Sequence, residues 1–115
     1  VVMINAGRTA TDYRLVDALS RTANQVFPST MVVDVDRYDN SMIFATMDDV
    51  SLDQFRQRLE ASRSIPFVGE VAGWAVDAGN MRDASTTGTI LTDDHAPVEW
   101  IIDQIIVGEA VREEP

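Results

Sequence analysis

The chain has 115 residues, 45% hydrophobic and 24% charged, the balance of an ordinary globular domain able to bury roughly two-thirds of its unfolded surface. Nineteen acidic residues against nine arginines and no lysine leave a net charge of −10, which argues against a grip on nucleic-acid phosphates, and the arginines form no stripe. The absence of cysteine excludes disulfides and thiolate chemistry, the single histidine excludes a multi-histidine metal centre, and no apolar run approaches the ~20 residues of a bilayer span.

Residues 1–5 (VVMIN) form a continuous β-rich run rather than an alternating one, the pattern of a strand covered on both faces. After Ala6-Gly7-Arg8, the residues Leu15, Val16, Leu19, Ala23, Val26 and Phe27 recur three and four apart and predict a helix over 12–27, with Thr11 or Asp12 as its cap and Pro28-Ser29 as its end. Two strands follow, at 30–36 and 41–47, and the short polar connection around Asp39-Asn40 makes them an antiparallel hairpin. Strand–helix–strand favours a crossover with parallel strands, to which the hairpin appends an antiparallel strand at one side. Ser51 or Asp53 opens a further helix with Leu52, Phe55 and Leu59 as its apolar face, ending before Ile65-Pro66. The glycine-punctuated stretch 67–79 fits a short helix or a loop packed through Trp74, and 80–88 reads as an exposed polar loop. The clearest amphipathic helix should start between Asp94 and Ala96, with Pro97 in its first turn and Val98, Ile101, Ile102, Ile105 and Ile106 as one stripe. Residues 1–47 thus form a strand-helix-strand-strand unit and 48–115 a helical and loop part of one domain or fragment.

VVMINAGR, a helix ending in NQVFPST, then MVVDVD and NSMIFATM resemble the last part of the class I methyltransferase-type fold as found in spermidine synthase-like proteins. There the fifth strand of a doubly wound sheet is followed by a helix ending in apolar-Phe-Pro and then by an antiparallel pair of strands. LTDDHAPVEW at 91–100 is similar to the Thr-Asp-Asp-x-x-Pro-Val-Glu segment near the end of many such chains. The two matches cover about two-thirds of the sequence. The fold class that the resemblance implies is α/β, the C-terminal part of a doubly wound, methyltransferase-type sheet. The activity it implies is aminopropyl transfer from decarboxylated S-adenosylmethionine, as co-substrate, to the polyamine substrate putrescine. The family's glycine-rich loop and acidic cofactor residues are not among these 115, so the chain alone is expected to hold no cofactor and to be inactive. A non-catalytic self-association module, or part of an S-adenosylmethionine-dependent methyltransferase, are the alternatives.

Asp93, Asp94 and His95 are the catalytic candidates, because an imidazole titrates near neutrality and two carboxylates stand beside it. A helix N-terminus, however, favours the ionised form of a carboxylate, so capping weighs more than acid catalysis. Asn5, Gly7 and Arg8 lie just past a strand's carboxyl end, where open α/β sheets line their substrate crevice. Asp34, Asp36, Asp39 and Asn40 do not make a calcium loop, since Asp39 stands where glycine is needed and Ala45 where the bidentate glutamate belongs, so no metal is expected. Asp34 and Asp36 read instead as the solvated face of a strand. Trp74 and Trp100 read as core or interface anchors. In a full doubly wound sheet the first strand would have a further neighbour; here that edge is bare, which predicts a homo-oligomer through it. No nucleic acid, no membrane segment and a cytoplasmic location complete the expectations.

Overall fold

A computed structural model of the chain describes residues 1–35, 39–76, 80–93 and 97–113, the side chains of Val68, Val71, Trp74 and Glu113 excepted. The element order is β1 (Val2–Gly7), α1 (Arg14–Val26), β2 (Ser29–Val35), β3 (Asn40–Thr46), α2 (Leu52–Ala61), α3 (Val68–Val76), β4 (Met81–Asp83) and α4 (Val98–Glu113). The four strands form one sheet in the order β1-β3-β2-β4, with every neighbouring pair antiparallel.

The fold is therefore α/β, with β1 and β2 running in the same direction as the sequence predicts, but the two do not touch. The hairpin strand β3 lies between them, in register with Ile4 on one side and Val32 on the other through Ile43, rather than being appended at one side. A split β-α-β unit results. The α1 crossover spans two strand positions, and the tight β2–β3 hairpin fills the intervening one. The second half repeats the move: β3 connects through α2 and α3 to β4, which runs parallel to β3 with β2 between them.

Because the two crossovers start from strands of opposite direction and step the same way along the sheet, equal handedness puts their helices on opposite faces. Val16 of α1 packs on Ala6, Val32 and Ile43. Phe44, the next residue along β3, points to the other face and meets Phe55 of α2 with ring centroids 5.2 Å apart and planes at 51°. The sheet is a middle layer. Val16, Val32 and Ile43 are wholly buried, each worth about 1.5–3 kcal/mol in apolar transfer.

Local rules account for most boundaries. Thr9 Oγ1 accepts from the amides of Thr11 and Asp12, and Asp12 Oδ1 accepts from the Arg14 amide, so Asp12 serves the start of α1 although Tyr13 occupies the cap position. Ser51 caps α2 in a reciprocal box with Gln54, over 3.1 and 2.9 Å. The undecided stretch after Phe67 is the helix α3. Two expectations are corrected. The loop expected over 80–88 begins with β4, whose Met81 is buried against β2. Its remainder is a strap laid across α1: Ser20 Oγ accepts from the Ser85 amide, Arg21 donates to the Gly88 carbonyl at 2.7 Å, and Thr22 Oγ1 accepts from the Leu91 amide at 2.8 Å. The stripe expected on α4 is only half used, since Ile101 and Ile105 pack on Leu15 and Ala18 whereas Ile102 and Ile106 are exposed. Trp100 is exposed as well, so it anchors nothing in the core.

Candidate functional site

The side chains with chemistry in them converge at the carboxyl ends of β1 and β2, on the face covered by α1. Ser41 sits opposite Ala6 on one side and Asp34 on the other. Its hydroxyl donates to Asp34 Oδ1 at 2.7 Å and accepts from Arg8 Nε at 2.9 Å. Arg82, paired in register with Val32, reaches diagonally across β2 and grips the same carboxylate twice, Nε to Oδ2 at 2.9 Å and a terminal nitrogen to Oδ1 at 3.2 Å. The other terminal nitrogen of Arg82 stands 4.0 Å from Asp17 on α1. Tyr13 lies against both cations, its ring centroid 4.6 Å from the Arg8 guanidinium carbon and 5.5 Å from that of Arg82. Asp12 and Arg14 form a separate ion pair at 2.6 Å beside Tyr13.

Burial sets the electrostatics. Desolvation pushes the Asp34 carboxyl up, but the hydrogen bonds from Arg82 and Ser41, with the charges of Arg82 and Arg8, outweigh it and hold the group below its ordinary 3.8. Desolvation likewise works against the Arg82 cation, and the bond and charge of Asp34 reverse the sign, so Arg82 is held more firmly protonated. Asp17 goes the other way: burial raises it, Arg82 offsets part of that, and the like charges of Asp34 and Asp12 add to the rise. In Asp12 the bond from Arg14 dominates and lowers the carboxyl. Asp34 is thus an ionised acceptor with three donors already in place, unsuited to taking a proton, and Asp17 is the carboxylate of the cluster nearest to accepting one.

The structure divides the residues that the sequence grouped as a crevice. Arg8 is buried on the α1 face, within the network. Asn5 and Gly7 are exposed on the opposite face, where Asn5 Oδ1 accepts from Asn40 Nδ2 at 2.6 Å. The Asn40 carbonyl oxygen is the one buried side-chain polar atom without a partner among the described residues. Asp93 is exposed in a turn, and at the start of α4 the Pro97 carbonyl accepts from the Ile101 amide. Asp94 and His95 lie outside the described residues, as does Asp36. Asp34, read from alternation as a solvated strand residue, is instead the hub of the network. Its partner Arg82 is 48 positions away on a three-residue strand, a pairing no local spacing reveals.

No family model, no curated protein and no solved structure matches this chain.

Among the described residues no group of three or more carboxylate or histidine side chains is placed to hold a metal ion, and no helix is long and apolar enough to cross a membrane. An open groove of about 240 Å³ lies at the other end of the sheet, between Asn24, Ser29, Thr30, Asp83 and Thr86. It is smaller than the ~300–1,000 Å³ of typical small-molecule sites. Two of its hydroxyls are already engaged, Ser29 with the Val50 amide and Thr30 with the Phe27 carbonyl. That groove does not fit a nucleoside-sized co-substrate.

Proposed function

We propose that residues 1–115 are the C-terminal region of a spermidine synthase-like protein. The activity this reading implies is transfer of an aminopropyl group from decarboxylated S-adenosylmethionine to putrescine, with 5′-methylthioadenosine as the second product. On this reading the residues that hold the co-substrate lie upstream of Val1, and the chain by itself is inactive.

The observation that carries the reading is the β1–α1–β2–β3 unit. A strand, a helix closing in Val26-Phe27-Pro28 and an antiparallel pair follow one another in the order the resemblance implies, with β1 and β2 in the same direction. The outer edge of β1, unpaired among the described residues, is where a doubly wound sheet would take its next parallel strand. A net charge of −10 also suits a diamine substrate, which such a field draws in. The Arg8–Ser41–Asp34–Arg82 network then acts as the support beneath the strand ends, since its acceptors and donors are spent on one another. A non-catalytic self-association module is the second reading, favoured by the same open edge.

The test compares residues 1–115 with a version extended upstream to complete the sheet. The expected result is a melting midpoint that 5′-methylthioadenosine raises only in the extended protein, together with spermidine formation from putrescine and decarboxylated S-adenosylmethionine. An extended protein that neither binds the nucleoside nor makes spermidine would overturn the reading.

A further inference from the structure

The two edges of the sheet are built differently. β4 is a three-residue edge carrying Arg82 and Asp83, short and charged, as edges protected from pairing are. β1 has none of these devices. Its six residues VMINAG hold no charge and no proline, and their register with β3 is unbroken from Val2 to Gly7. The Arg8 amide donates to the Asp39 carbonyl across the β1–β3 ladder. Hydrogen-bonding positions in an antiparallel pair alternate, so Ala6, Ile4 and Val2 also face β3, and the N–H and C=O groups of Met3, Asn5 and Gly7 point outward.

We infer that this edge pairs with β1 of a second copy, antiparallel about a two-fold axis at Ile4, to give a continuous eight-stranded sheet. Three observations select that occupant. Two chains of charge −10 can approach closely only through a surface free of acidic groups, and no residue from Val1 to Gly7 has a charged side chain. Outward groups must oppose outward groups, which restricts a two-fold arrangement to odd residues facing odd ones. Of the registers allowed, the one centred on Ile4 gives the greatest overlap, with Met3 opposite Asn5 and Val1 opposite Gly7 of the second copy. On the α1 face that register sets Ile4 against Ile4 and Val2 against Ala6, apolar on apolar at every position, continuing the row of Ile4, Ile43 and Val32. On the other face it brings the 61%-exposed Met3 side chain against a neighbour. The inference stands on the edge itself and not on the enzymatic reading; an upstream strand carried by a longer chain would compete for the same groups, so residues 1–115 are the protein to test.

The experiment is sedimentation equilibrium of the 115-residue chain and of Met3→Pro. Proline is tolerated at an edge position whose N–H faces outward, so this change removes a donor from the new ladder without touching β3. Met3→Lys, which places a charge at the seam, is the second variant. The expected result is a dimer for the parent chain and a dissociation constant raised about tenfold or more in both variants. Amide exchange at Met3, Asn5 and Gly7 should slow as the parent's concentration rises, while Val2, Ile4 and Ala6 stay protected throughout. A parent chain that remains monomeric at millimolar concentration, or a dimer that both variants leave intact, would overturn the inference.

Discussion

Replacing Asp34 by Asn keeps the shape of the side chain and removes the charge on which the polar network turns. Arg82 then loses the anion it holds through two bonds, one amide hydrogen faces a guanidinium donor, and the Ser41 hydroxyl loses its strongest acceptor. Breaking one partner of a fully buried charge pair costs about 3–5 kcal/mol. The Asp34 side chain is 16% exposed and that of Arg82 33%, and Asp17 stands near enough to Arg82 to take up part of its field. The expected loss is therefore smaller, about 2 kcal/mol. For a domain of this size that is a fall of roughly 8 °C in the melting midpoint. Thermal melts followed by circular dichroism measure it, and a double-mutant cycle with Arg82→Met isolates the pair term. The pH dependence has a definite sign. Asp34 is depressed below its ordinary 3.8 in the folded state, so its contribution is complete above that value and disappears as pH falls through the lower folded one. The gap between parent and Asp34→Asn should close over that acidic window. A variant within about 0.5 kcal/mol of the parent at pH 7, or a coupling energy near zero, would refute the assignment of Asp34 as the hub.

Asp17→Asn should act in the opposite sense. Burial and the neighbouring carboxylates raise Asp17, so its ionised form weakens the fold at neutral pH; the substitution should raise the urea midpoint at pH 7, and the advantage should vanish below the ordinary carboxylate range. Gly88→Ala should destabilise the fold by about 1–3 kcal/mol, because a Cβ there would overlap the Asp17 carbonyl and lift the strap from α1. Faster amide exchange at Leu91, whose N–H donates to Thr22, would report the lifting directly, and unchanged exchange would count against it.

How much of this was legible in the sequence follows the range of the interactions. β1, α1, the β2–β3 hairpin and the opening of α2 at Ser51 are written in runs and spacings a few residues long, and they stand within a residue or two of the expected places. β4 is three residues long, too short to show alternation, and becomes a strand only because β2 offers it an edge. The insertion of β3 between β1 and β2 was hidden for the same reason: the hairpin shows that β3 neighbours β2, but not on which side. Periodicity found the apolar residues of α4 but not how many of them α1 could cover, since that depends on the width of the facing helix. Of the network residues, Arg8 is singled out in the sequence by its position after β1. Strand alternation gives Asp34 a solvated setting, and the burial it has instead depends on a partner that arrives from 48 residues away.

The strand order has a kinetic side. Among the described residues β1 is held to the sheet only by β3, and β4 only by β2, so neither edge strand has a ladder to join until the hairpin between them exists. The hairpin closes a loop of a few residues, whereas β1 must span α1 and β2 to reach its partner, and loop-closure entropy rises with that separation. Residues 29–46 are thus the template on which both ends of the chain are assembled, and the two edges can detach one at a time while that template stands.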